Sequence, residues 1–165
     1  MKRLLIVLMV LFSLPIVGNA QKINWMTFQE AVKLNETTPK KIFIDVYTDW
    51  CGWCKKMDKT TFLDPAVVEY MNENYYAVKL DAEMNDTISF AGYTFVNEGG
   101  RRGTHQLAAA LLQGRLSYPS YVFMNEKNQV LTVAPGYMEP KDLMPILKYI
   151  GTDAYLNQTF KEYFK

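Results

Sequence analysis

Cysteine and histidine are scarce in this 165-residue chain, which has two cysteines, Cys51 and Cys54, and one histidine, His105. A closed structural zinc site takes four Cys or His ligands. Only a site shared between chains is left for zinc. A purely structural disulfide is also a poor account of the pair: closing a ring of about four residues is worth about 2 kcal/mol, against about 4.7 for a 100-residue loop. Charge of one sign is missing too, since 18 Lys and Arg face 17 Asp and Glu. Nucleic-acid and anionic-membrane binders usually show a basic excess, so this balance gives no support for either partner. There is no run of the roughly 20 apolar residues that a spanning helix needs. The apolar stretch Leu4 to Val17 is 14 residues long and contains Ser13 and Pro15. Repeats and low-complexity tracts are absent.

The cysteines lie in Trp50-Cys51-Gly52-Trp53-Cys54, directly after the apolar run Ile42-Phe43-Ile44-Asp45-Val46-Tyr47. That run is short, β-branched and aromatic, as expected of a strand buried on both faces. Lys55, Lys56, Met57 and Lys59 then favour a helix, so the pair is expected where a central strand hands over to a helix. Residues three apart on a helix are close enough for their sulfurs to bond after a modest adjustment. Cys51, at the helix start, meets unpaired N–H groups and the positive end of the dipole, which favour a thiolate. Asp45 is a charge inside an apolar strand, six residues before Cys51. Burial should raise its pKa and make it a proton acceptor near neutrality. A polar residue at a strand end is the plainer reading.

Residues Phe43 to Met57, with their Trp-Cys-Gly-Trp-Cys core, resemble the active-site region of the thioredoxin superfamily. Phe62-Leu63-Asp64-Pro65, Val78-Lys79-Leu80-Asp81-Ala82-Glu83 and Tyr118-Pro119-Ser120-Tyr121-Val122-Phe123 are similar to secreted bacterial thioredoxin-like proteins related to the periplasmic domain of the transmembrane disulfide reductase. The likeness covers about residues 25 to 150 and implies an α/β thioredoxin fold, a central mixed sheet flanked by helices, with the cysteines at a helix N-terminus. It implies thiol–disulfide exchange in which Cys51 attacks, Cys54 resolves, Asp45 assists Cys54 and Lys79 lies near Asp45. It further implies a cis bond at Tyr118-Pro119 and a client groove formed by Trp50, Gly52, Trp53, Tyr118 and Pro119. No metal or organic cofactor is implied. Trp53 replaces the proline of thioredoxin itself and keeps a backbone N–H available to the Cys51 thiolate.

Lys2 and Arg3, the apolar stretch and then Gly18-Asn19-Ala20 have the layout of a secretory signal, with cleavage expected after Ala20. Losing Lys2 and Arg3 takes 18 basic groups to 16 against 17 acidic ones, a net charge of −1. The expected organisation is a signal over 1–20, one thioredoxin-like domain over 21–150 and a docked helical tail over 151–165. An amphipathic helix capped by Thr27 is expected over Ile23 to Asn35. Strands are expected over Lys41 to Thr48 and Tyr75 to Leu80, with a helix after Asp64-Pro65 between them. Asn85 to Arg102 is expected to be a solvated loop. Thr104 should cap a helix running to Gln113, with His105 exposed in its first turn. Ser120 to Met124 and Val130 to Val133 read as a hairpin. Asp142 to Ile150 reads as a helix kinked or delayed by Pro145. Together these features lead to the expectation of a monomeric, extracytoplasmic, periplasmic thiol–disulfide oxidoreductase that reduces client disulfides and exchanges electrons with an upstream protein. A disulfide oxidant or isomerase with the same residues, and a redox-inert binding module, are the alternatives.

Overall fold

The computed structural model describes residues 22–165; the segment read as a signal, 1–20, lies outside them. The described residues open with a two-residue strand, β1 (Trp25–Met26), and helix α1 (Phe28–Asn35). Thr27 caps α1, accepting from Glu30 N–H while the Glu30 carboxylate accepts from Thr27 N–H, a reciprocal capping box. The expected cap is correct, but the helix begins after it. Trp25 and Met26 instead pair in parallel with Ala77 and Val78.

Strand β2 (Lys41–Tyr47) leads to helix α2 (Gly52–Lys59), and a 3-10 turn (Thr61–Leu63) follows. Helix α3 (Pro65–Asn74) starts on Asp64, whose carboxylate accepts from Ala66 and Val67 N–H, with proline at the first helical position. Next come β3 (Tyr75–Asp81), a short hairpin β4 (Ile88–Phe90) and β5 (Tyr93–Phe95), and α4 (Gln106–Leu111). The expected loop over 85–102 therefore holds a small antiparallel ribbon, too short to produce a legible alternation. Strands β6 (Ser120–Met124) and β7 (Val130–Pro135) form the expected hairpin. Helix α5 (Pro140–Gly151) runs through Pro145, and its onset is not delayed. Its first turn closes on its own N-cap, with Asp142 and Leu143 N–H donating to Glu139 O. A 3-10 turn (Ala154–Leu156) and helix α6 (Phe160–Tyr163) end the chain.

The main sheet has the order β1-β3-β2-β6-β7, with the first three strands parallel and β6 and β7 antiparallel. Alternation along β2 divides the core. Ile42, Ile44 and Val46 point to the side covered by α1 and α4, whereas Phe43 points to the side covered by α3 and α5. Lys41 and Asp45 share the parity of Phe43, so two charges lie on the second side of this buried strand.

The tail folds back in part. Tyr149 on α5 packs against Tyr155, Phe160 and Tyr163 at 5.3 to 6.5 Å between ring centroids. Leu156, in the same tail, is exposed.

Candidate active site

Cys51 and Cys54 form a disulfide where β2 hands over to α2. Cys51 is the N-cap of α2, and its sulfur accepts from the Cys54 N–H at 3.1 Å. The donor on this sulfur is thus Cys54 N–H, not the Trp53 N–H expected from the sequence. Both cysteines are buried, Cys51 at 4% exposure and Cys54 at 2%. What separates the two is the cap: helix N–H groups and the dipole act on Cys51, which favours its thiolate.

Asp45 is fully buried, and its Oδ2 accepts from Lys79 Nζ at 2.6 Å, with Lys79 opposite it in the parallel β2–β3 register. Burial pushes the Asp45 carboxyl up to about 6, although Lys79 opposes the rise; Asp58 adds slightly to it. Its Oδ1 has no hydrogen-bond partner among the described residues. Lys79 also bonds to Asp58, which lies one helical turn after Cys54 on α2. Burial lowers the pKa of Lys79, but Asp45 and then Asp58 more than offset this, so the ammonium is held charged. Its Nζ lies over the rings of Trp25, Tyr47 and Phe62, 5.0 to 5.3 Å from their centroids. Asp45 and Lys79 therefore meet where the sequence put them together. Asp58 was missed, although its spacing of four from Cys54 is the signal that places both on one helix face.

The Tyr118-Pro119 bond is cis. Tyr118 meets Trp50 edge to face at 5.9 Å, and Pro119 O accepts from Gly136 N–H at 2.8 Å. That bond ties the proline loop to the turn after β7, whose Tyr137 packs on Trp53 at 5.2 Å. Trp50 and Trp53 are 65% and 57% exposed, unusual for such large rings, and Gly52 between them is exposed and open. Tyr137 had no sequence signal, because only the tertiary fold brings it to the helix. His105 does not join the site. It is buried and itself caps α4, its Nδ1 accepting from Leu107 N–H while Nε2–H faces Asp86 O at 2.9 Å. The expectation of an exposed His105 under a Thr104 cap is wrong because the imidazole is the cap.

A disulfide at a helix N-terminus, backed by a buried carboxylate and bordered by a cis-proline loop on a mixed sheet, is the architecture of the thioredoxin-fold thiol–disulfide oxidoreductases. The chain belongs to the Thioredox_DsbH family, described as "Protein of unknown function, DUF255", which matches residues 16–163. It is 34% identical over 65 residues to the thiol:disulfide interchange protein DsbD of Pectobacterium atrosepticum, covering 35% of this chain and 11% of that one. Its fold matches a thioredoxin-fold protein from Helicobacter pylori with a TM-score of 0.60 and 17% identity, over 76% of this chain and 82% of the other. A second solved structure, DsbH oxidoreductase, matches with a TM-score of 0.59 and 16% identity, over 81% and 87%. The chain spans from 7% to 50% of the length of the curated relatives it matches. Among the described residues no helix is long and apolar enough to cross a membrane.

Proposed function

We propose that the chain is an extracytoplasmic, periplasmic thiol–disulfide oxidoreductase that reduces client disulfides. The observation that carries this reading is the Cys51–Cys54 disulfide, with Cys51 on the helix cap and the titratable Asp45 buried in β2 and joined through Lys79 to Asp58 on α2. In the reduced protein the Cys51 thiolate attacks one sulfur of a client disulfide. The client S–S bond breaks, a Cys51–client bond forms, and the departing client thiolate takes a proton. Cys54 then gives its proton to Asp45 and attacks the Cys51 sulfur. This forms the Cys51–Cys54 disulfide and releases the second client thiolate, so two electrons pass to the client. An upstream dithiol protein must return them. Trp50, Gly52, Trp53, Tyr118 and Pro119 line the client's path, and Lys79 sets the charge state of Asp45. The secretory layout of residues 1–20 supports the location, and the likeness to a thiol:disulfide interchange protein supports the exchange chemistry.

A second reading, disulfide oxidant or isomerase, draws on the same residues. It is favoured by the Cys51 cap, because stabilising the thiolate favours the reduced state and raises the reduction potential. Trapping tests the mechanism and sorts the directions. Exported Cys54→Ser protein should accumulate high-mass adducts that collapse with dithiothreitol, and Cys51→Ser protein should show few. Mature envelope enzymes among the adducts support the reductase, and newly secreted multi-cysteine proteins support the oxidant or isomerase. Adducts confined to Cys51→Ser would invert the two roles. None in either form, with clients present, would remove the exchange mechanism and leave a binding module.

A further inference from the structure

The two tryptophans that bracket Cys51-Gly52 each stand with charge of a different sign. Trp50 Nε1–H donates to Glu83 Oε1 at 2.9 Å and lines a cavity of about 590 Å³ together with Asp49, Asp81 and Glu83. Arg102 lines the same cavity, but none of the three carboxylates joins an ion pair among the described residues. Burial raises the Asp81 carboxyl; the Glu83 N–H bond to it opposes this, and Asp49 and Glu83 push it up again. The carboxylates thus crowd one another. At Trp53 the sign changes. Lys56 Nζ lies 5.1 Å from the Trp53 ring and 4.6 Å from that of Tyr137, both within cation–π reach. The exposed Lys55 and Lys59 flank it on α2, whereas Asp58 turns away to Lys79. Glu139, paired with Lys141 at 2.8 Å, also lies within electrostatic reach of Lys56.

We propose that this polarised surface docks an extended client segment of opposite polarity. Its reacting cysteine has a basic side chain on one side, which enters the Asp49–Asp81–Glu83 cavity beside Trp50. An acidic side chain on the other side meets Lys56 on the Trp53–Tyr137 pair. On an extended peptide, side chains at i−2, i and i+2 share one face. Charges two residues either side of the cysteine therefore face the same surface as its sulfur. The inference rests on the oxidoreductase reading and adds the client chemistry that the site selects.

Three capped peptides, each a mixed disulfide with 2-mercaptoethanol, test it: Lys-Ala-Cys-Ala-Glu, Glu-Ala-Cys-Ala-Lys and Gln-Ala-Cys-Ala-Gln. The charged two have the same composition and net charge, so only order differs. In single-turnover reduction by the dithiol protein at low salt, one order should react about tenfold faster than the other, with the neutral peptide between them. The ratio should fall toward one in about 0.5 M salt, and Asp49→Lys with Lys56→Glu should reverse the preference. Equal rates for the two orders at low salt would overturn the proposal. Reduction of the neutral peptide sustains the oxidoreductase reading in either case, and its failure to react would end both.

Discussion

On one side of the sheet, two lysines each stand between two carboxylates, and the buried member differs. Lys41, the first residue of β2, bonds Glu126 at 2.7 Å and Asp153 at 2.8 Å. There the lysine is buried and both carboxylates are partly exposed. Burial lowers the pKa of Lys41, the two carboxylates more than restore it, and the group stays charged. The result is a fixed pin joining the start of β2 to the β6–β7 turn and to the tail. Around Lys79 the most buried member is instead the carboxylate of Asp45, and its pKa moves to about 6. The same inventory of charges yields a strut in one place and a proton acceptor in the other. Which charge lies inside decides between them.

The largest expected effect comes from leaving the strut's buried charge alone. Glu126→Gln with Asp153→Asn strands the Lys41 ammonium and should cost about 3 to 5 kcal/mol of stability, read by urea unfolding. Replacing the lysine itself, as Lys41→Met, lets both carboxylates return to water. That change should stay within about 1 kcal/mol, because a buried ion pair is often no better than an apolar isostere. A large loss in Lys41→Met would break the comparison.

Next in size is the reverse test at Asp45. Its folded pKa, about 6, lies above the ordinary value of 3.8, so the folded protein holds the proton more tightly than the unfolded chain. The oxidised protein should therefore lose stability as pH rises from about 4 to about 6, by about 3 kcal/mol in all, and remain at that lower level above pH 6. Asp45→Asn should remove this slope and be more stable than the parent by about 1 to 3 kcal/mol at pH 7, the lower figure reflecting Lys79 left with Asp58 alone. Unfolding curves at pH 4, 5.5 and 7 measure both effects.

Smaller changes come from the neighbours of Asp45. Lys79→Met removes the opposing positive charge, so the pH at which Asp45 loses its proton should rise by about one pH unit. Asp58→Asn removes a nearby negative charge and leaves Lys79 to Asp45, so that pH should fall by a fraction of a unit. Carboxyl titration of labelled protein by NMR separates the two, and a shift of the same sign in both variants would contradict the network.

Much of this was legible because the signals are local. Asp64-Pro65, Thr27 with Glu30, and the β-branched run before the cysteines each fix an element from within a few residues. Asp45 and Lys79 were legible because a charge inside an apolar strand must be accounted for, and the resemblance supplied its partner. The strut was not legible. Lys41 meets Glu126 and Asp153 across 85 and 112 positions, and nothing local marks either contact. Tyr137 was hidden for the same reason. His105 was misread because its neighbour Thr104 is the more usual cap, yet imidazole Nδ1 accepts the N–H as well.

Asp45 as the acceptor of the Cys54 proton is the central claim, and the pH profile of resolution tests it most directly. A mixed disulfide formed on Cys51 with a peptide thiol can be followed by stopped flow between pH 5 and 8 as Cys54 displaces the peptide. The parent should speed up through an inflection near pH 6, where Asp45 becomes a carboxylate able to take the proton. Asp45→Asn should lack that inflection and be about 100-fold slower at pH 7. Equal rates, or the same inflection in both proteins, would contradict the assignment and leave Asp45 as a buried charge without a part in the exchange.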